Sequence, residues 1–264
     1  MNRCVSALGT LCLLAAPLAA QMQIGGGICS SASLSGTYSL TLTGRDVSSS
    51  ATFTKISEGV GTATFDGQSK VTLSLTTNTN AAAGTPQTLS GTYSLQANCS
   101  GTLNITTGDT ATFTLEAFNN PTESLSRNFL LAGQDGIYAF TGNGGLLPAS
   151  CSAAQFAGVF AFNATSFALS SGAVSGVGNI SGLLTLDGKN GVTANWYVAA
   201  TTTTNDTASG QYSVAQGCTG TASVTDPAGN TFSIAFTLTS ATGANFLLTG
   251  ASPGLMFTGS GRTL

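Results

Sequence analysis

The chain contains no histidine. Without imidazole, Ser-His-Asp and Cys-His catalysis are excluded in their usual form, and so are His-based zinc, copper and iron sites. Charge is the second scarcity: Lys, Arg, Asp and Glu make up 6% of the 264 residues, against about 25% in ordinary globular proteins. Seven basic residues cannot build the basic face that nucleic acid demands, so no nucleic-acid partner is expected. Glutamate is confined to Glu58, Glu116 and Glu123, leaving none after residue 150. Long apolar runs are missing as well. Beyond the N-terminal segment nothing approaches about 20 uninterrupted apolar residues, and no transmembrane segment is expected.

What is present begins with MNRCVSALGTLCLLAAPLAA: one Arg, an apolar run, then small residues before Gln21. This has the form of an export signal over residues 1–20, followed by a flexible leader at 21–28 that holds Gly25, Gly26 and Gly27. Removing the first 20 residues leaves about 244, with four cysteines: Cys29, Cys99, Cys151 and Cys218. An even number in an exported chain reads as disulfides. Localisation is therefore expected to be secreted or cell-surface, with the periplasm as a variant. Loss of Arg3 leaves six basic against ten acidic groups, a net charge near −4. So little self-repulsion favours association with itself or with a surface.

An internal repeat organises the rest. LSGTYSL stands at 34–40 and again at 89–95, with looser echoes FAGVFAF (156–162) and ASGQYSV (208–214). Cys29-Ser30 answers Cys151-Ser152, SGTYSLQANCSGTLNI (90–105) answers SGQYSVAQGCTGTASV (209–224), and NFLLAGQDGIYAFTGNG (128–144) answers NFLLTGASPGLMFTGSG (245–261). The offset stays near 120 residues, which gives one repeat at 29–144, a linker at 145–150 and a second repeat at 151–264. Of the three pairings open to four cysteines, the repeat selects Cys29 with Cys99 and Cys151 with Cys218.

Within each half the hydrophobic period is two. Val71, Leu73 and Leu75 alternate with Thr72, Ser74 and Thr76, and Phe232, Ile234, Phe236 and Leu238 alternate with Ser233, Ala235 and Thr237. Asp66-Gly67, Gly108-Asp109, Asp135-Gly136, Asp187-Gly188 and Asp226-Pro227 punctuate the runs as turns. The first half then holds eight strands, at 36–43, 51–66 with a bulge near Gly59 to Gly61, 69–79, 88–97, 100–106, 110–118, 126–133 and 136–141. A meander of eight puts the start of strand one and the end of strand four at the same end, where both expected bridges lie. The fold class expected is all-β: two tandem antiparallel eight-stranded up-and-down β-barrels, with two β-sandwiches as the alternative. Gly36, Gly91 and Gly210 allow close backbone approach at strand starts, and Tyr38, Tyr93 and Tyr212 fill the core.

The combination of Cys-Ser, LSGTYSL, FDG, a second SGTY and CSGT resembles a group of uncharacterised exported tandem-repeat β proteins of soil bacteria. That resemblance implies a bacterial, exported module and supplies no activity. The GTY strand starts are more distantly similar to avidin-like and lipocalin-like barrels, although the avidin set of stacking aromatics is missing, Trp196 being the only indole.

Candidate chemistry is sparse. The turn aspartates fit backbone hydrogen bonding better than catalysis or calcium binding. Glu58, Glu116 and Glu123 are the acids left for a glycoside hydrolase, which needs two carboxyls about 5 to 10 Å apart. Glu116 shares the outer face of Thr112 and Thr114. Five Asn-X-Ser/Thr sequons, from Asn98 to Asn205, carry no information in a bacterial chain. No catalytic residue, cofactor or metal is expected. The leading expectation is an exported non-catalytic structural or adhesive protein that self-associates or binds a cell-surface component. The alternative is a binding module for a small apolar ligand or carbohydrate, in which Tyr38, Tyr93, Trp196 and Tyr212 are ligand contacts or core; a carboxylate hydrolase comes third.

Overall fold

The computed structural model describes residues 28–47, 54–80, 82–118, 125–199, 203–239 and 245–264. The expected export signal, all of the leader but Ile28, and Glu123 lie outside the described residues. The first half forms β1 (Ser35–Asp46), β2 (Ile56–Asp66), β3 (Lys70–Thr79), β4 (Pro86–Leu95), β5 (Ser100–Thr107), β6 (Ala111–Phe118), β7 (Asn128–Gln134) and β8 (Tyr138–Gly145). The second forms β9 (Gly158–Ser170), β10 (Ala173–Leu186), β11 (Gly191–Ala199), β12 (Thr203–Val214), β13 (Thr219–Thr225), β14 (Thr231–Leu238), β15 (Asn245–Ser252) and β16 (Leu255–Thr263).

Each set of eight pairs antiparallel in chain order and then closes. β8 returns to β1 with Asn143 opposite Thr41, and β16 returns to β9 with Thr258 opposite Thr165. Two closed barrels result, not two sandwiches, and no β-edge is left for strands so poor in charge. Two local expectations are corrected. Residues Gly59 to Gly61 carry no bulge: Leu42, Thr41 and Leu40 face Gly59, Val60 and Gly61 in unbroken register. These glycines serve a close approach instead, since a Cβ on Gly61 would stand 1.9 Å from the Ser74 carbonyl oxygen. The last strand of the first barrel also runs on to Gly145, which takes the first residue of the expected linker into the sheet.

Turns and caps follow from local chemistry. Asp66 Oδ1 accepts from the amides of Gln68, Ser69 and Lys70 at 2.8 to 2.9 Å, and Asp187 Oδ1 does the same for Lys189, Asn190 and Gly191. These bonds hold both carboxyls below the usual carboxylate range and occupy the oxygen that a calcium loop would need. A short 3-10 turn precedes each barrel, Ser31–Ser33 and Ala153–Phe156. The bridges Cys29–Cys99 and Cys151–Cys218 tie each turn to the loop after the fourth strand of its barrel. The linker then pins both units: Leu146 packs on the first core and Leu147 enters the second.

Candidate functional site

Along β2, Ala63 and Phe65 point into the first barrel. Ile56, Glu58, Val60 and Thr62 have the opposite parity and stand on its outside, where a Thr- and Ser-rich barrel is usually wet. They are buried nonetheless: Ile56 and Glu58 are fully covered and Val60 is 2% exposed. The cover is the second barrel. Ile56 packs with Phe167, Ala251 and Met256, all on the outer surface of that barrel. Outward-facing Ala235, Thr237 and Thr249 of β14 and β15 are buried in the same way. Asn78 Nδ2 donates to Thr249 Oγ1 at 3.2 Å, and the Val174 amide donates to the Thr54 carbonyl at 2.9 Å, so the contact is polar at its margins.

Glu58 sits inside this junction. Its Oε2 accepts from Thr43 Oγ1 at 2.9 Å, while Oε1 has no hydrogen-bond partner. Burial pushes the carboxyl up to about 8; the Thr43 and Thr258 hydroxyls and the Arg45 charge oppose that without cancelling it. At neutral pH the side chain is therefore mostly a neutral acid. A neutral carboxyl can lie between two barrels at far lower cost than a carboxylate can.

The four candidate core or ligand residues are all buried, at 0% for Tyr38, 3% for Tyr93, 7% for Trp196 and 4% for Tyr212. Tyr38 donates to the Ser126 carbonyl at 2.8 Å, and Tyr93 shares its proton between the carbonyls of Ser31 and Leu34, each at 2.8 Å. Burial pushes both phenols up to about 12. Tyr212 donates to the Ala153 carbonyl at 3.4 Å. Trp196 stacks edge-on against Phe232 with ring centres 5.4 Å apart. Tyr38 and Tyr93 thus serve the first barrel, Trp196 and Tyr212 the second, and the structure does not bring the four together.

The Glu58–Glu116 pair does not form a glycosidase arrangement, for a reason of topology. Glu58 is on the outside of β2 and Glu116 on the outside of β6, four strands away round an eight-stranded barrel. Two carboxyls facing away from opposite walls cannot flank one glycosidic bond. Among the described residues, no group of three His, Cys, Asp or Glu is placed to hold a metal.

Two features escaped the sequence reading. The 3-10 turns had a signal in Ser-x-x-Ser and Ser-x-x-Gln: Ser30 N donates to Ser33 Oγ at 3.2 Å and Ser152 N to Gln155 Oε1 at 2.6 Å, completing two capping boxes. The junction had only a faint one, an acid set among apolar residues at the even positions of β2.

The fold and these sites define a disulfide-tied pair of closed β-barrels. Among the described residues no helix is long and apolar enough to cross a membrane. No family model matches the chain, and no curated protein matches it significantly. Among solved structures, it is similar to a protein of unknown function of the DUF3598 family from Nostoc punctiforme, at 12% identity over 87% of this chain and 96% of that one, with a TM-score of 0.29. Another is the isotype 1 transferrin binding protein B of Neisseria meningitidis, at 8% identity over 88% of this chain and 77% of that one, with a TM-score of 0.29. At that overlap neither likeness bears on what this chain does.

Proposed function

We propose that this chain is an exported, non-catalytic structural protein that assembles head to tail with copies of itself. The observation that carries the reading is the asymmetry of the junction. Two barrels of one design meet through unlike faces, the outside of β2 on the first and, on the second, a face that runs from β14 and β15 through Met256 of β16 and Phe167 of β9 to Val174 at the start of β10. A contact between unlike faces, repeated, generates an open chain and not a closed pair.

The repeat leaves a copy of each face unused. With Asp66-Gly67 aligned on Asp187-Gly188, Ile56, Glu58, Val60 and Thr62 become Val177, Asn179, Ser181 and Leu183 of β10. Val177 is 57% exposed and Leu183 40%, two of the few large apolar side chains in solvent. The counterpart of the β14–β15 face is the outside of β6 and β7, where Thr114, Glu116, Leu130 and Ala132 line a shallow depression and Leu130 is 46% exposed. Asn179 takes the place of Glu58, so docking buries no carboxyl from that face. Arg45 and Ala139 stand where Phe167 and Met256 receive Ile56, so contacts between chains are weaker than the contact within one.

Sedimentation velocity on the mature chain tests this. The expected result is a series of elongated species that grows with concentration and collapses to monomer in Leu183→Asp and, separately, in Leu130→Asp. A wild-type chain that stays monomeric at the highest soluble concentration overturns the reading.

A further inference from the structure

The two barrel interiors are not filled alike. In the first, Phe65 is a hub whose ring centre lies 5.5 Å from Tyr38, 5.5 Å from Phe129 and 4.9 Å from Tyr93, all edge-on. The repeat puts Leu186 at that position in the second barrel. The cross-strand pair Leu103–Phe113 becomes Ala222–Ile234 in the same register. These three smaller side chains, with Phe156, line a cavity of about 20 Å³. A second cavity, of about 30 Å³, adjoins it across Leu184, Ile234 and Leu248, where Ala194 replaces Leu73. Larger residues offset part of this loss: Leu184 for Ala63 and Phe236 for Leu115 line the first cavity, and Trp196 for Leu75 and Phe232 for Ala111 line the second.

Size and lining together say what fits. At about 20 Å³ and about 30 Å³ the two cavities are small. A single water needs only roughly 10–15 Å³, but it also needs two to four polar partners. The first wall is wholly apolar and the second nearly so. Water is therefore a poor occupant, and the lining lacks the dispersion contacts that an apolar guest would restore.

The cap over this interior is also the looser of the two. Phe156, the last residue of the 3-10 turn, lines the first cavity. In the first barrel the equivalent turn is held by Tyr93 through two contacts of 2.8 Å; here Tyr212 offers one of 3.4 Å. Phe160 stands where Tyr38 anchors to Ser126, and it has no hydroxyl to do so.

We propose that the interior of the second barrel is a binding site for one small, uncharged apolar atom or molecule no larger than xenon, admitted past the Phe156 cap. The site is independent of self-assembly, so the test uses the full mature chain carrying Leu183→Asp, which keeps it monomeric if assembly occurs and is harmless if it does not. Amide NMR spectra are recorded against xenon. Saturable shifts are expected around Phe156, Leu186, Ala222 and Ile234, with none in the first barrel. Leu186→Phe, which restores the missing ring, is expected to weaken xenon binding at least tenfold with its amide spectrum still folded; Ile234→Phe serves in its place if that variant does not fold. The proposal is overturned by an absence of saturable shifts at the solubility limit of xenon, by equal shifts in both barrels, or by undiminished binding in the filled variant.

Discussion

Glu58 shows how much one side chain can impose. Its carboxyl is raised from 4.5 in the free state to about 8 in the folded protein. Between those values the folded state holds a proton that the unfolded state has released, so stability falls as pH rises. The contribution is fully present below about 4.5 and is lost as pH climbs through about 8, over a range on the order of a few kcal/mol. Glu58→Gln keeps the shape and the Thr43 contact but cannot ionise. Denaturant unfolding from pH 5 to 9 is expected to show a decline in the wild type that this variant lacks, leaving the variant the more stable protein at pH 9. Tyrosine hydroxyls give a second test at this scale. Tyr93→Phe removes a hydroxyl shared by two carbonyls under the first cap and is expected to cost about 1–3 kcal/mol, whereas Tyr212→Phe, losing one 3.4 Å contact, costs about 0.5 kcal/mol or less.

Strands and turns were legible in the sequence because their causes are local. Alternation of Val71, Leu73 and Leu75 with threonine and serine follows from side chains leaving a strand on alternate faces. The Asp-Gly turns follow from a carboxylate that satisfies three amides at once. The glycines of the repeated phrase were legible as sites of a tight bend or close approach: Gly36 takes a φ of +108°, while Gly91 and Gly210 lie against neighbouring carbonyls and make a sharp prediction. A Cβ at Gly91 would lie 2.0 Å from the Asn104 carbonyl oxygen, whereas one at Gly217 would meet nothing within 4 Å. Gly91→Ala is expected to destabilise by about 1–3 kcal/mol in thermal or urea melts, and Gly217→Ala to stay within about 0.5 kcal/mol. What escaped was the capping turns, too short for any periodicity and marked only by Ser-x-x-Ser and Ser-x-x-Gln, and the β2 face, whose burial depends on a second barrel nearly 200 positions away.

At the scale of the whole molecule, the repeat and the cysteines made the architecture readable, but not how its two halves touch. Equivalence of sequence carries no information about which faces meet; that is set by a few outward side chains, Ile56, Glu58 and Val60, whose counterparts Val177, Asn179 and Ser181 remain in solvent. The bridges act on each barrel separately, spanning 70 and 67 residues. Chain entropy values each at roughly 4 kcal/mol, and calorimetry after reduction is expected to show both barrels destabilised, not one alone. The junction decides the rest. A chain with its β10 face blocked by Leu183→Asp should be monomeric, and so should one with its β6–β7 face blocked by Leu130→Asp. Mixed, the two still carry one intact face of each kind. The most direct measurement is the mass of that mixture by sedimentation or light scattering: joining through unlike faces predicts a one-to-one dimer that grows no further, and two monomers that ignore each other would contradict it.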